Sequence, residues 1–200
     1  MSFAFKRVIM CAVCFIMIFF STSCNITTRS NDATSSEKNS LKVEGDILPD
    51  DENGVRVISK IITGVTNNDV EMIENLFAKD IQSKNDKLKD EIYDMLSLFS
   101  KNQPNKIYYE YSVQHNDIVG GDNFDYDECL AFVYTKNKKY SFDMILCNSD
   151  SRSNNNIGLW TIIVSDSNIR EKSNKFDKFY SKLMNNLSDI SDKNTGVFLL

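Results

Sequence analysis

The chain has 200 residues, 42% of them hydrophobic and 26% charged, enough apolar material for one globular domain with its own core. Its formal net charge is -5, and the first 23 residues hold Lys6 and Arg7 but no acid, so the remainder is more acidic still. No basic stripe appears anywhere in the chain, which argues against nucleic acid as a partner, because that affinity is built from Lys and Arg neutralising phosphates.

Lys6-Arg7 precedes an uncharged apolar run from Val8 to Phe20, followed by Ser21-Thr22-Ser23-Cys24. This is the layout of an export signal: a positive start, a short apolar stretch and small residues at a cleavage site. A helix of that length covers roughly 20 Å, against roughly 30 Å of hydrocarbon in a bilayer, so the run targets better than it spans. Small residues leading into a cysteine resemble the lipobox of bacterial prolipoproteins, with Ser21 where the pattern usually has Leu. The resemblance implies cleavage before Cys24, lipid on its thiol, and anchoring at the extracytoplasmic face of the cell membrane. Residues 24–50 then read as lipidated cysteine and flexible tether, since Asn25 to Ser40 is mostly Ser, Thr, Asn and Asp with little to bury. Residues 51–200 remain for a single domain.

Val57, Ile58, Ile61, Ile62 and Val65 recur at helical spacing and predict an amphipathic helix from Gly54 to about Thr66. Asn67-Asn68-Asp69 interrupts it, and Asn68 with Glu71 has the form of a capping pair opening a second helix with Val70, Ile73, Leu76 and Phe77. A third helix follows Ser83, with Leu88, Ile92, Met95, Leu96 and Phe99 on one face and Pro104 beyond its end.

The period then changes from 3.6 to 2. Ile107, Tyr109, Tyr111 and Val113 alternate with polar residues as in a half-buried strand, and Asn116 to Asp127 reads as an acidic loop around Gly120-Gly121. A hairpin comes next. A turn centred on Lys138 would set Leu130, Phe132 and Tyr134 opposite Leu146, Met144 and Phe142, and Cys129 opposite Cys147. Export makes that cysteine pair a candidate disulfide, with two buried free thiols as the alternative. Leu159 to Ser165 gives the last clear strand, and a closing helix is expected over about 171–187 from Phe176, Phe179, Leu183 and Leu187.

Helices first and an antiparallel meander after them make an α+β pattern. The segment Asn67-Asn68-Asp69-Val70 into Glu74-Asn75-Leu76-Phe77, the acidic helix Lys87 to Phe99, and Gly158-Leu159-Trp160-Thr161-Ile162 resemble an uncharacterised family of Gram-positive lipoprotein domains of the nuclear transport factor two-like superfamily. The resemblance covers about Val55 to Ser165 and implies a cone: three N-terminal helices packed on a curved antiparallel sheet of about four strands. It also implies a pocket between sheet and helices, for which Tyr109, Tyr111, Phe132, Tyr134 and Trp160 are the candidate lining, and homodimers formed through an open sheet face.

Chemistry is sparse. His115 is the sole histidine, so a Cys-His or Ser-His-Asp site cannot be built without it, and Cys24, Cys129 and Cys147 are too few to make a zinc centre expected. No cofactor and no metal are expected. Three functions remain open, the last of them a purely structural envelope protein that needs neither a cavity nor a buried acid. The first is a tethered, non-catalytic module that binds a small apolar ligand or a protein partner. The second is an isomerase or dehydratase using Asp125, Asp127 or Asp143 beside a tyrosine, which would need an acid buried at a cavity wall.

Overall fold

The computed structural model describes residues 41–119, 121–172, 174–185 and 195–200. The export signal, Cys24 and the tether up to residue 40 lie outside the described residues; the unit to which the described ones belong runs Asn39–Leu200. Its elements in chain order are strand β1 (Val43–Glu44), a tight turn (Pro49–Asp51), helices α1 (Glu52–Asn67), α2 (Val70–Glu74), α3 (Lys79–Lys84) and α4 (Leu88–Phe99), and strands β2 (Lys106–Val119), β3 (Asp122–Tyr134) and β4 (Lys139–Asp150). A second tight turn (Asn154–Asn156) leads to β5 (Gly158–Asp166), helices α5 (Ser167–Lys172) and α6 (Asn174–Met184), and strand β6 (Gly196–Leu199).

The strands form one six-stranded sheet in the order β1-β2-β3-β4-β5-β6. Its outer pairs, β1 with β2 and β5 with β6, are parallel, and the three inner pairs are antiparallel. The expected cone, three N-terminal helices on a four-stranded antiparallel sheet, is therefore wrong: the sheet is mixed, it has six strands, and helices lie both before and after it. Both added strands are too short to show an alternating pattern. Val43–Glu44 falls within the stretch read as tether, yet it pairs with Ile107 and Tyr108, and Leu41 and Val43 pack against the core.

The helices follow their apolar stripes. Val57, Ile58, Ile61, Ile62 and Val65 are all buried on α1, and Leu88, Ile92, Met95, Leu96 and Phe99 on α4. The capping differs from the expected pair. Asn68 ends α1 in the left-handed conformation at φ 54°, and Asp69 opens α2 by accepting a 2.9 Å hydrogen bond from the Met72 amide. Asparagine tolerates that backbone better than other side chains do, which is why the two roles separate.

The hairpin register also differs from expectation. Thr135 closes the turn, accepting from the Lys138 amide at 3.0 Å on its hydroxyl and donating its own amide to the Lys138 carbonyl at 2.9 Å. The turn is thus centred before Lys138, and β3 pairs with β4 as Val133↔Tyr140, Ala131↔Phe142, Cys129↔Met144 and Asp127↔Leu146. This offset is odd, so Leu130, Phe132 and Tyr134 face away from Phe142, Met144 and Leu146. A bulge between Tyr109 and Tyr111 likewise puts those two tyrosines on opposite faces, since Tyr109 pairs with Ala131 and Tyr111 with Leu130. The acidic segment Asn116 to Asp127 is mostly strand: β2 runs to Val119 and β3 begins at Asp122.

Helices occupy both sheet faces. On one, Phe99 of α4 packs on Tyr140 and Phe142 with centroids 4.9 and 6.1 Å apart. On the other, which the homodimer expectation left open, Phe179 of α6 packs on Phe198 of β6 at 5.0 Å, and Arg170 of α5 reaches Asp143 of β4. Strand β6 is tied to the first layer, because the Glu91 carboxylate accepts from the Val197 amide at 3.1 Å and from Asn85 at 3.2 Å.

Candidate functional site

The α1-to-α4 layer leaves part of its sheet face uncovered, and there an open cleft of about 800 Å³ enters the domain. Its floor is built by register: Gln114, Asp127 and Leu146 stand side by side across β2, β3 and β4, with Ser112 and Asn148 beside them. One wall is the Pro49–Asp51 turn and the start of α1, carrying Asp50, Asp51, Asn53, Arg56 and Lys60. Asn53 fixes this wall to the sheet by donating to Asn148 at 2.9 Å.

The opposite wall joins the end of α2 to the start of β5. Leu159 donates its amide to the Leu76 carbonyl at 2.9 Å and accepts from the Ala78 amide at 3.0 Å. Gly158 makes this approach feasible: at φ 133° a Cβ would sit 3.1 Å from the Ala78 nitrogen and 3.2 Å from the Leu76 oxygen. Leu76, Phe77, Ile157 and Leu159 give this wall an apolar surface, with Lys79 at its rim.

Charge distinguishes the cleft. Asp127 is only 6% exposed, yet among the described residues its carboxylate has no hydrogen bond and no ion pair. Asp51, at 4%, spends one oxygen on the Leu48 amide at 2.8 Å. Arg56, Lys60 and Lys79 are exposed at the mouth; Arg56 donates to Asn53 and Lys79 to Gln82, and none of the three forms an ion pair among the described residues. A carboxylate that opens to the cleft and meets no protein partner is free to receive an incoming cation.

On the same sheet face, beneath α1, lies Tyr109, 1% exposed. Its nearest polar neighbours are Cys129 and Ser112, but its hydroxyl makes no sound hydrogen bond, and burial pushes its pKa well above the usual value. Burial also pushes the Cys129 thiol up to about 12, and the Cys147 thiol, at the cleft wall, up to about 12. Neither is a nucleophile near neutral pH.

A second polar centre lies under α5 and α6. Arg170 grips the Asp143 carboxylate with contacts of 3.1, 3.3 and 3.1 Å. Burial raises the Asp143 pKa even though the guanidinium opposes it. Tyr111 and Tyr180 are drawn into the same neighbourhood, each with its pKa raised by burial.

The five aromatic candidates are scattered, and none lines the cleft. Tyr109 lies beneath α1, Tyr111 beside Arg170, and Phe132 under the Lys139 ammonium at 3.6 Å, with Tyr134 between Lys106 and Lys139 at 5.9 Å from each. Trp160 is fully buried and donates its indole N–H to the Asn156 carbonyl at 2.6 Å. The cysteine pairing also fails on register: Cys129 pairs with Met144 and Cys147 with Tyr126, and both thiols are free and buried. His115 stacks on Tyr126 at 4.8 Å, with Nε2 3.5 Å from Glu128.

Sequence reasoning named Asp127 as one acid of a loop and as one of three candidate acids for an Asp/Tyr pair, and missed Asp51, Arg56 and Lys60. The one-turn spacing of Arg56 and Lys60 was visible on α1, but what they face was not. Among curated proteins there is no match. Residues 60–171 match the family described as a domain of unknown function (DUF5104), and the chain belongs to that family.

Proposed function

We propose that this chain is an exported lipoprotein, anchored through Cys24 to the extracytoplasmic face of the cell membrane, whose domain captures a small ligand in the cleft. The observation that carries the binding role is Asp127, a largely buried residue whose carboxylate faces a cavity of ligand size and has no partner among the described residues. Charges of both signs on the walls favour a polar ligand over an apolar one. The address rests on the positive start, the short apolar run and Cys24, and two acyl chains on one cysteine suffice for stable anchoring. Among the described residues no helix is long and apolar enough to cross a membrane.

Binding is favoured over an Asp/Tyr isomerase because catalysis of that kind needs a tyrosine hydroxyl at the wall beside the acid. Neither Tyr109 nor the Asp143 centre, where Tyr111 and Tyr180 do stand near an acid, lines the cleft. Two experiments test the reading. Cys24→Ala should lose labelled lipid and leave the membrane fraction; retention of both overturns the anchor. Small molecules that co-purify with the full chain should be lost from Ile157→Trp, which places bulk at the mouth on an exposed position; identical co-purified material from both proteins overturns the cleft.

A further inference from the structure

The geometry points to a ligand with a free ammonium and a free carboxylate, an amino acid or short peptide, whose ammonium meets Asp127 while its carboxylate meets Arg56, Lys60 and Lys79. This rests on the cleft reading above and adds the ligand's class. The deep charges are acidic and the mouth is mainly cationic, with the exposed Asp50 the one acid at that level among the described residues. At the floor, Asp127 is largely buried while its carboxylate faces the cleft with no partner among the described residues, and on the wall Asp51 has one oxygen already engaged, so one carboxylate is held ready without a counter-ion. At the mouth, Arg56 and Lys60 stand one helical turn apart on α1, and Lys79 faces them across the opening.

A dianion would be repelled at the floor and a dication at the rim, while a molecule with one charge of each sign is complementary at both levels. Leu76, Phe77 and Leu159 on the far wall offer an apolar surface for a side chain between the two ends. A volume of about 800 Å³ accommodates a peptide of a few residues rather than a metal ion or a lone anion. Gln114 and Asn148 flank the floor with hydrogen-bonding groups of either polarity, suited to peptide amides.

The test is calorimetric titration of the full chain in detergent with four forms of one tripeptide: trialanine, its C-terminal amide, its N-acetyl derivative and the doubly blocked form. Trialanine should bind tightest, N-acetylation should weaken binding more than tenfold, and amidation should weaken it less. Asp127→Asn should abolish the discrimination between free and acetylated amines, yet leave the urea midpoint close to that of the parent, because the carboxylate makes no hydrogen bond or ion pair within the described residues. A residue kept only for structure would show the opposite pair of results. Replacing Arg56, Lys60 and Lys79 together by Gln should abolish the preference for a free carboxylate.

Equal binding of free and acetylated peptide, or unchanged discrimination in Asp127→Asn, overturns the assignment. If Ile157→Trp still blocks that indifferent binding, the cleft stands and only the ligand class falls. Absence of binding by all four forms also overturns the class, while the cleft is judged separately by its co-purified material.

Discussion

Removing the guanidinium of Arg170 is the most informative single perturbation, because it leaves Asp143 buried with its charge uncompensated. The Asp143 side chain is 6% exposed and Arg170 23%, and three contacts between 3.1 and 3.3 Å join them. Breaking such a pair from one side costs about 3–5 kcal/mol. Arg170→Met should therefore lower the urea midpoint by roughly 2 M, given a slope of about 1–3 kcal/mol per molar for a domain of this size. The sole tryptophan, Trp160, is fully buried and reports the transition. The sign of the pH dependence follows from the carboxyl. Burial already holds its folded pKa above the ordinary 3.8, so ionisation costs the fold stability as pH rises through and above that value. Without the guanidinium the folded pKa climbs further, and the Arg170→Met deficit should be largest near neutral pH and shrink on acidification towards 4. Asp143→Leu combined with Arg170→Met should recover to within about 1 kcal/mol of the parent, since the neighbours in register, Leu130 and Ile163, are apolar. A cost below about 1 kcal/mol for Arg170→Met, or a double variant no better than the sum of its parts, would refute the reasoning.

Gly54→Ala should destabilise by about 1–3 kcal/mol despite the better helix former, because the new Cβ would sit 2.0 Å from the Tyr109 hydroxyl and 2.9 Å from the Cys129 sulfur; an unchanged urea midpoint contradicts the packing of α1 on β2. Cys129 and Cys147 should resist alkylation in the native protein at pH 8 and both react once it is unfolded without reductant, and mass mapping that finds the two joined would refute the hairpin register. Asn68→Val should cost about 1–3 kcal/mol and Asn68→Gly almost nothing, since only the former strains a left-handed cap; equal midpoints would show that the cap relaxes freely.

Legibility followed the range of the interactions that set each element. Helices α1 and α4 were plain because every fourth residue on one chain segment has to share a face, and no distant partner can change that. Asn68 and Asp69 were misassigned by one position, since both residue types cap and only the backbone decides which turns left-handed. The β3–β4 register was lost to one hydroxyl: Thr135 closes its own turn, shifts the pairing and so exchanges the faces of Leu130 and Phe132. The bulge at β2 did the same to Tyr111, and the predicted aromatic pocket came apart for these two reasons. Strands β1 and β6 could not be read at all, being short segments whose extended form is imposed by the neighbour they add to.

The cleft shows why the site was harder to read than the core. A core position declares itself by being apolar at a regular interval, whereas Asp127 is an acid among acids along Asp122, Asp125 and Glu128. Its neighbours in sequence do not share its fate. Asp125 donates no burden to the core, accepting from Ser149 at 2.7 Å near the surface, and Glu128 turns to the opposite face beside His115. What separates Asp127 is that strand alternation aims it at the face under α1, at the point where the helix layer stops short. Burial without a partner is thus a product of three segments meeting, namely the start of α1, the end of α2 and the middle of the sheet. That carboxylate makes no hydrogen bond or ion pair among the described residues and is left for whatever enters the cleft, so the stability of Asp127→Asn relative to its binding loss is the quantity that decides the matter.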